Sequence, residues 1–220
     1  MRHHRISYRL FPFYSLRLDQ LMNNALVGRW IAANSSVPKV NDRHSLYRFL
    51  AKRFEGQPID YLEFGVWQGD SIRQWASLNS HPETRLFGFD SFEGLPEDWD
   101  RSMSAGTFDV QGVLPKIDDK RVSFVKGWFQ DTLPGFLAQY KRQDRLVVNI
   151  DADLHSSTLY CLVKLDPIIT PGTIIIFDEF VSALHEFRAY HEYCKAFRRE
   201  MRPLCMSAEF ADHAAFEVVK

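Results

Sequence analysis

Five apolar runs recur through the middle of this chain: Asp60–Gly65, Arg85–Asp90, Val122–Lys126, Leu146–Asp151 and Thr173–Asp178. Helix-patterned stretches lie between most of them, at about 70–79, 132–140 and 156–166. Parallel strands need long crossovers and helices supply them, so this alternation predicts βαβ units and a parallel sheet covered on both faces. An earlier helix is expected from Asn41 or Asp42, either of which can cap it. Leu46, Phe49, Leu50 and Phe54 follow at three-to-four spacing before Gly56 and Pro58 close the segment. After a long helix at about 182–200, the runs Leu204–Phe210 and Ala214–Val219 are too close together for a crossover and predict an antiparallel pair. The expected fold is α/β: a doubly wound, mostly parallel seven-stranded sheet with an antiparallel C-terminal strand.

A chain of 220 residues with this pattern is expected to form one domain, over 41–220. Residues 1–40 show no clean period, and Arg2, Arg5, Arg9, Arg17 and Arg29 face a single acid, Asp19. They are expected to form an N-terminal arm or lid that packs on the domain or serves as a homodimer contact. Pro12 argues against one continuous membrane-surface helix there. Residues 95–120 are rich in Gly, Pro and Asp without a period, and a loop that long in a compact domain is expected to be a lid over the strand ends.

The formal net charge of −1 gives no basic excess for nucleic acid. Cys161, Cys194 and Cys205 are odd in number and too widely spaced for a disulfide framework or a zinc ribbon. No run approaches the ~18 apolar residues of a membrane span. A cytoplasmic protein without stable membrane insertion is expected.

The stretch YLEFGVWQGDS (61–71) sets Glu63, Gly65 and Gly69 at a strand-to-helix junction. Glycines there allow a sharp turn and close approach of a ligand, and the helix beginning near Asp70–Ser71 offers free N–H groups to an anionic end. Asp90 ends the next strand, 90 − 69 = 21 positions after Gly69, where a carboxylate can accept from ribose hydroxyls. The pattern is not GxGxxG, and Trp67 and Gln68 replace the small residues that a pyrophosphate needs. A nucleoside with a compact charged end fits better than a dinucleotide.

Asp151 and Asp178 each end an apolar strand, 178 − 151 = 27 residues apart, and Glu179 follows. One strand-helix-strand unit separates them, so neighbouring parallel strands would bring the three carboxylates into one crevice, where a hard cation such as magnesium would relieve their repulsion. Asp153 or Ser156 can instead cap the next helix. His155 and His185 read more simply as wall residues than as catalysts.

The stretches LEFGVWQGDS, FGFDSFEGLPED, VSFVKGWFQDTLP, NIDADLHSST and PGTIIIFDEF run in order from residue 62 to about 180. Together they resemble class I S-adenosylmethionine-dependent methyltransferases, and more narrowly the macrocin O-methyltransferase family. The resemblance implies S-adenosylmethionine along Glu63, Gly65, Gly69 and Ser71, with its ribose at Asp90 and Ser91 and its adenine near Trp128. It implies magnesium on Asp151, Asp178 and Glu179, and a sugar or glycoside hydroxyl as acceptor. Asp151 is the expected base and His155 a reserve base. The family usually has tyrosine at the position of His155 and aspartate at that of Glu179. Competing expectations are a metal-dependent hydrolase, a nicotinamide-dependent oxidoreductase and a non-catalytic Rossmann-like binding protein.

Overall fold

The computed structural model describes residues 16–99, 102–208 and 211–220. Helix α1 (Leu16–Ala33) leads into a two-residue strand β1 (Lys39–Val40) and helix α2 (Arg43–Ala51). Strand β2 (Asp60–Phe64), helix α3 (Asp70–Leu78) and strand β3 (Arg85–Asp90) follow. Next come β4 (Val122–Lys126), α4 (Phe129–Gln139), β5 (Leu146–Ile150), α5 (His155–Leu165) and β6 (Ile174–Phe177). Helix α6 (Glu186–Phe197) and strands β7 (Met201–Ser207) and β8 (Ala214–Val218) complete the order.

All eight strands form one sheet, ordered β1-β7-β8-β6-β5-β2-β3-β4, in which only β8 runs against its neighbours. The seven-stranded expectation is corrected to eight. Lys39 and Val40, read from sequence as part of the arm, pair with Met206 and Ser207 at the sheet edge. A two-residue strand carries too few residues to show a period of two. The described part of the arm opens with the 18-residue helix α1, and Arg2, Arg5 and Arg9 lie outside the described residues. So does Phe210, the expected end of a strand that closes at Ser207.

Strands β2 and β5 are buried along their whole length, as the centre of a two-faced sheet must be. Alternation sorts their side chains. Leu62, Phe64, Val148 and Ile150 pack on one face with Leu162 and Phe177, while Tyr61 and Val147 pack on the other with Leu46 and Trp75. Buried Asp60 anchors the far end of β2, accepting from Arg85 Nε and Nη2 at 2.7 Å and from the Tyr140 hydroxyl at 2.5 Å. Among the described residues no helix is long and apolar enough to cross a membrane.

The winding reverses between β2 and β5. From β2 the chain builds outward through β3 and β4, then returns to lay β5 on the other side of β2. Crevices in open α/β sheets form at such a switch point, beyond the carboxyl ends of the strands.

Candidate functional site

At the switch point, Gly65 follows β2 with φ +94°, and a Cβ there would stand 1.7 Å from the Asp151 carbonyl oxygen. Only glycine lets these two strand ends lie so close. The backbone continues the row: Asp151 N–H donates to Phe64 O at 2.8 Å, and Asp178 N–H to Ile150 O at 3.0 Å. The ends of β2, β5 and β6 are thereby laced side by side.

Over them lies a cleft enclosing about 1020 Å³, part of it open to solvent. Gly65, Asp90, Ser91, Trp128, Asp151, Asp178 and Glu179, all singled out in the sequence, line it. Trp67 and Phe108 meet edge to face at 5.9 Å and add aromatic surface. Asp90 holds the turn together: its Oδ2 accepts from Val66 and Trp67 N–H at 2.8 Å, and its Oδ1 from Phe92 N–H at 2.7 Å. Trp67, Phe92 and Asp153 all hold left-handed backbone around this cleft, a strained conformation that persists where packing over-determines it.

Four expected residues lie outside the cleft lining. Glu63 is buried beneath it, its Oε2 accepting from the Tyr61 hydroxyl at 2.5 Å while Oε1 has no partner among the described residues. Burial, opposed by that hydrogen bond and by the Arg43 charge, pushes the Glu63 carboxyl up to about 8. Ser71 is buried and accepts from the Tyr47 hydroxyl at 3.2 Å. Gly69, at φ +81°, precedes α3 and packs beside Pro115. His155 turns to α6, where its Nε2 meets Glu192 Oε2 at 2.9 Å. The capping expectation for Asp153 and Ser156 fails: α5 has no side-chain cap, and the Ser156 hydroxyl donates to Glu97 Oε1 at 2.5 Å instead. The loop at 95–120 does reach the cleft, through Leu95, Pro96 and Phe108.

The acid cluster is larger than the sequence suggested. Asp153 lines the cleft with Asp151, Asp178 and Glu179, and fully buried Glu186 lies behind them, accepting from Glu179 N–H at 3.0 Å. Burial, reinforced by Asp178 and Asp153, pushes the Asp151 carboxyl well above the usual carboxylate range. Burial and the neighbouring acids bring Asp153 to about 7 and Glu179 to about 8. Asp178 goes the other way. Burial opposes its charge, but the His213 contact and the Arg43 guanidinium outweigh it. His213 Nδ1 is 3.1 Å from Asp178 Oδ1, and Arg43 Nη1 is 3.2 Å from Asp178 Oδ2 and 3.5 Å from Asp151 Oδ2.

Both implied groups can be weighed against these residues. A glycine turn, aromatic walls, Asp90 and the orphaned buried Glu63 oxygen fit a nucleoside carrying a charged amino-acid end. Asp151, Asp153, Asp178 and Glu179 line one cleft and carry the hard oxygen ligands that a divalent cation takes. Among the described residues, however, no three acid, His or Cys side chains are gathered as a formed metal site. The cation between Asp151 and Asp178 is the Arg43 guanidinium.

The family model for macrocin O-methyltransferase (TylF) matches residues 49–206. The chain belongs to this family. Among curated relatives of the family member, the 8-demethyl-8-(2,3-dimethoxy-alpha-L-rhamnosyl)-tetracenomycin-C 4'-O-methyltransferase of Streptomyces olivaceus is 35% identical over 164 residues, covering 61% of this chain and 59% of that protein. Mycinamicin III 3''-O-methyltransferase of Micromonospora griseorubida is 29% identical over 164 residues, covering 62% and 63%. The chain thus spans about three fifths of the length of the curated relatives it matches. The solved O-methyltransferase NovP superposes with TM-score 0.63 at 24% identity, over 81% of this chain and 80% of its own, which shows the shared fold.

Proposed function

We propose that this macrocin O-methyltransferase family member transfers a methyl group from S-adenosylmethionine to a hydroxyl of a sugar or glycoside, with Asp151 taking the hydroxyl proton. One observation carries the reading: Asp151, a carboxyl held well above its usual range, abuts the glycine turn that opens the donor cleft. A base performs best when its pKa lies near the working pH, and burial moves Asp151 in that direction.

S-adenosylmethionine, when bound, supplies a methyl group already electrophilic on a positive sulfur. Asp151 would take the proton that the acceptor hydroxyl gives up as its oxygen receives that methyl group. The protein's part is alignment. Gly65 lets the donor reach the strand ends, Asp90 fixes the turn and offers its remaining lone pairs to the ribose, and Trp67, Phe108 and Trp128 exclude water. Proximity of this kind is worth about 7–11 kcal/mol at best. Asp151, Asp178 and Glu179 are the side chains that would hold magnesium, which would lower the hydroxyl pKa and orient adjacent hydroxyls. The name of the first relative, a 4'-O-methyltransferase of a rhamnosyl-tetracenomycin, supports the acceptor class.

Asp151→Asn is expected to bind S-adenosylmethionine as the wild type does in calorimetry while losing at least about 100-fold in turnover on a responsive glycoside. Wild-type turnover in that variant would remove Asp151 from the reaction.

A further inference from the structure

Arg43 begins α2, yet its guanidinium reaches across the sheet ends to the two aspartates. A single nitrogen, Nη1, meets three carboxylate oxygens: Asp178 Oδ1 at 3.3 Å, Asp178 Oδ2 at 3.2 Å and Asp151 Oδ2 at 3.5 Å. Magnesium binds carboxylate oxygen at about 2.0–2.1 Å. The oxygens would have to close by more than ~1 Å around an ion, onto the place that Nη1 holds. Guanidinium and divalent ion therefore exclude each other.

We propose that Arg43 is a displaceable counter-cation: it holds the metal position between Asp151 and Asp178 at rest, and a divalent ion enters by expelling it. The inference rests on the reading above that these acids take a cation, and deepens it. The helix need not move. Asp42 caps α2 by accepting from Ser45 N–H at 2.6 Å, and β1 pairs with β7 just before it, so the backbone of Arg43 is fixed. Its side chain is 29% exposed, which leaves it a route to solvent. His213 flanks Asp178 Oδ1 and also bonds the Asp178 carbonyl at 2.5 Å, so the carboxylate stays oriented when Arg43 departs. Exchange makes metal affinity a difference between two cations. It keeps the acids paired when metal is scarce and lowers the affinity for the ion below what the carboxylates alone would give.

The test is titration of the full-length protein with Mn²⁺, read from the free-ion EPR signal, with S-adenosylmethionine calorimetry alongside. Arg43→Gln removes the charge and keeps a polar side chain. Its dissociation constant for Mn²⁺ is expected to fall at least about ten-fold below that of the wild type. Its melting temperature should drop in EDTA and recover with magnesium, whereas that of the wild type should hardly respond to EDTA. Should Arg43→Gln not fold, Arg43→Lys takes its place and is expected to bind Mn²⁺ more tightly than the wild type, because the ammonium makes fewer bonds at that point. Equal or weaker Mn²⁺ binding in the variant that folds overturns the proposal and leaves Arg43 as a structural pin. No Mn²⁺ binding in either protein, with S-adenosylmethionine still bound, overturns the exchange while sparing the methyl-transfer reading. Loss of S-adenosylmethionine binding by the wild type would count against the transferase reading instead.

Discussion

Glu63 shows how one side chain can tie donor site and stability together. Its carboxyl ordinarily titrates near 4.5 and is pushed up to about 8 by burial in the folded chain. Between those values the native protein keeps a proton that the unfolded chain releases, so stability falls as pH rises through that window. The slope can reach about 1.4 kcal/mol per pH unit. Denaturation of wild type and Glu63→Gln, compared from pH 5 to 8 without ligand, should show the wild type losing ground to the variant as pH climbs. A constant difference would mean that Glu63 is already charged in the fold. At this scale the strand-end acids were legible because an acid closing an apolar run is conspicuous. Arg43 and His213 were not. An arginine beside a helix cap and a histidine in a hairpin turn look like solvated surface until the sheet brings them to Asp178, 178 − 43 = 135 and 213 − 178 = 35 residues away in sequence.

The junction between β2 and α3 depends on Gly65. Alanine there would adopt an unfavourable positive φ and drive its methyl group into the Asp151 carbonyl. Gly65→Ala is expected to lose at least about 2 kcal/mol of stability, mostly from forcing β2 and β5 apart, and to lose detectable S-adenosylmethionine binding. Chemical denaturation and calorimetry read the two effects, and an unperturbed protein would show that the strand ends can separate freely. Strands β2, β5 and β6 were legible because burial on both faces makes each a nearly continuous apolar run. Helix α1 was not. Its apolar residues include exposed Leu18, Leu21 and Met22 as well as Trp30, which packs on Phe180 and Phe216, so no single stripe marks a buried face.

For the molecule as a whole, the donor site proposed across β2, β3 and β4 exists only in the folded chain. S-adenosylmethionine at a hundredfold over its dissociation constant should therefore stabilise the protein by about 2.7 kcal/mol. A thermal-shift series in donor concentration checks this, and NAD at the same concentrations should give no shift. The alternation of strands and helices made the doubly wound class legible, but not the order at the sheet edge, which depends on a two-residue pairing that no local pattern announces.

That pairing has a consequence for how the chain is made. β1 hydrogen-bonds to β7, and His213, in the turn before β8, completes the surroundings of Asp178. A ribosome will have released every residue of the donor cleft before it delivers these last pieces. The nascent polypeptide carries every strand-end acid before the hairpin emerges, but a message cut short ahead of residue 213 leaves Asp178 without His213 and β6 without its antiparallel neighbour.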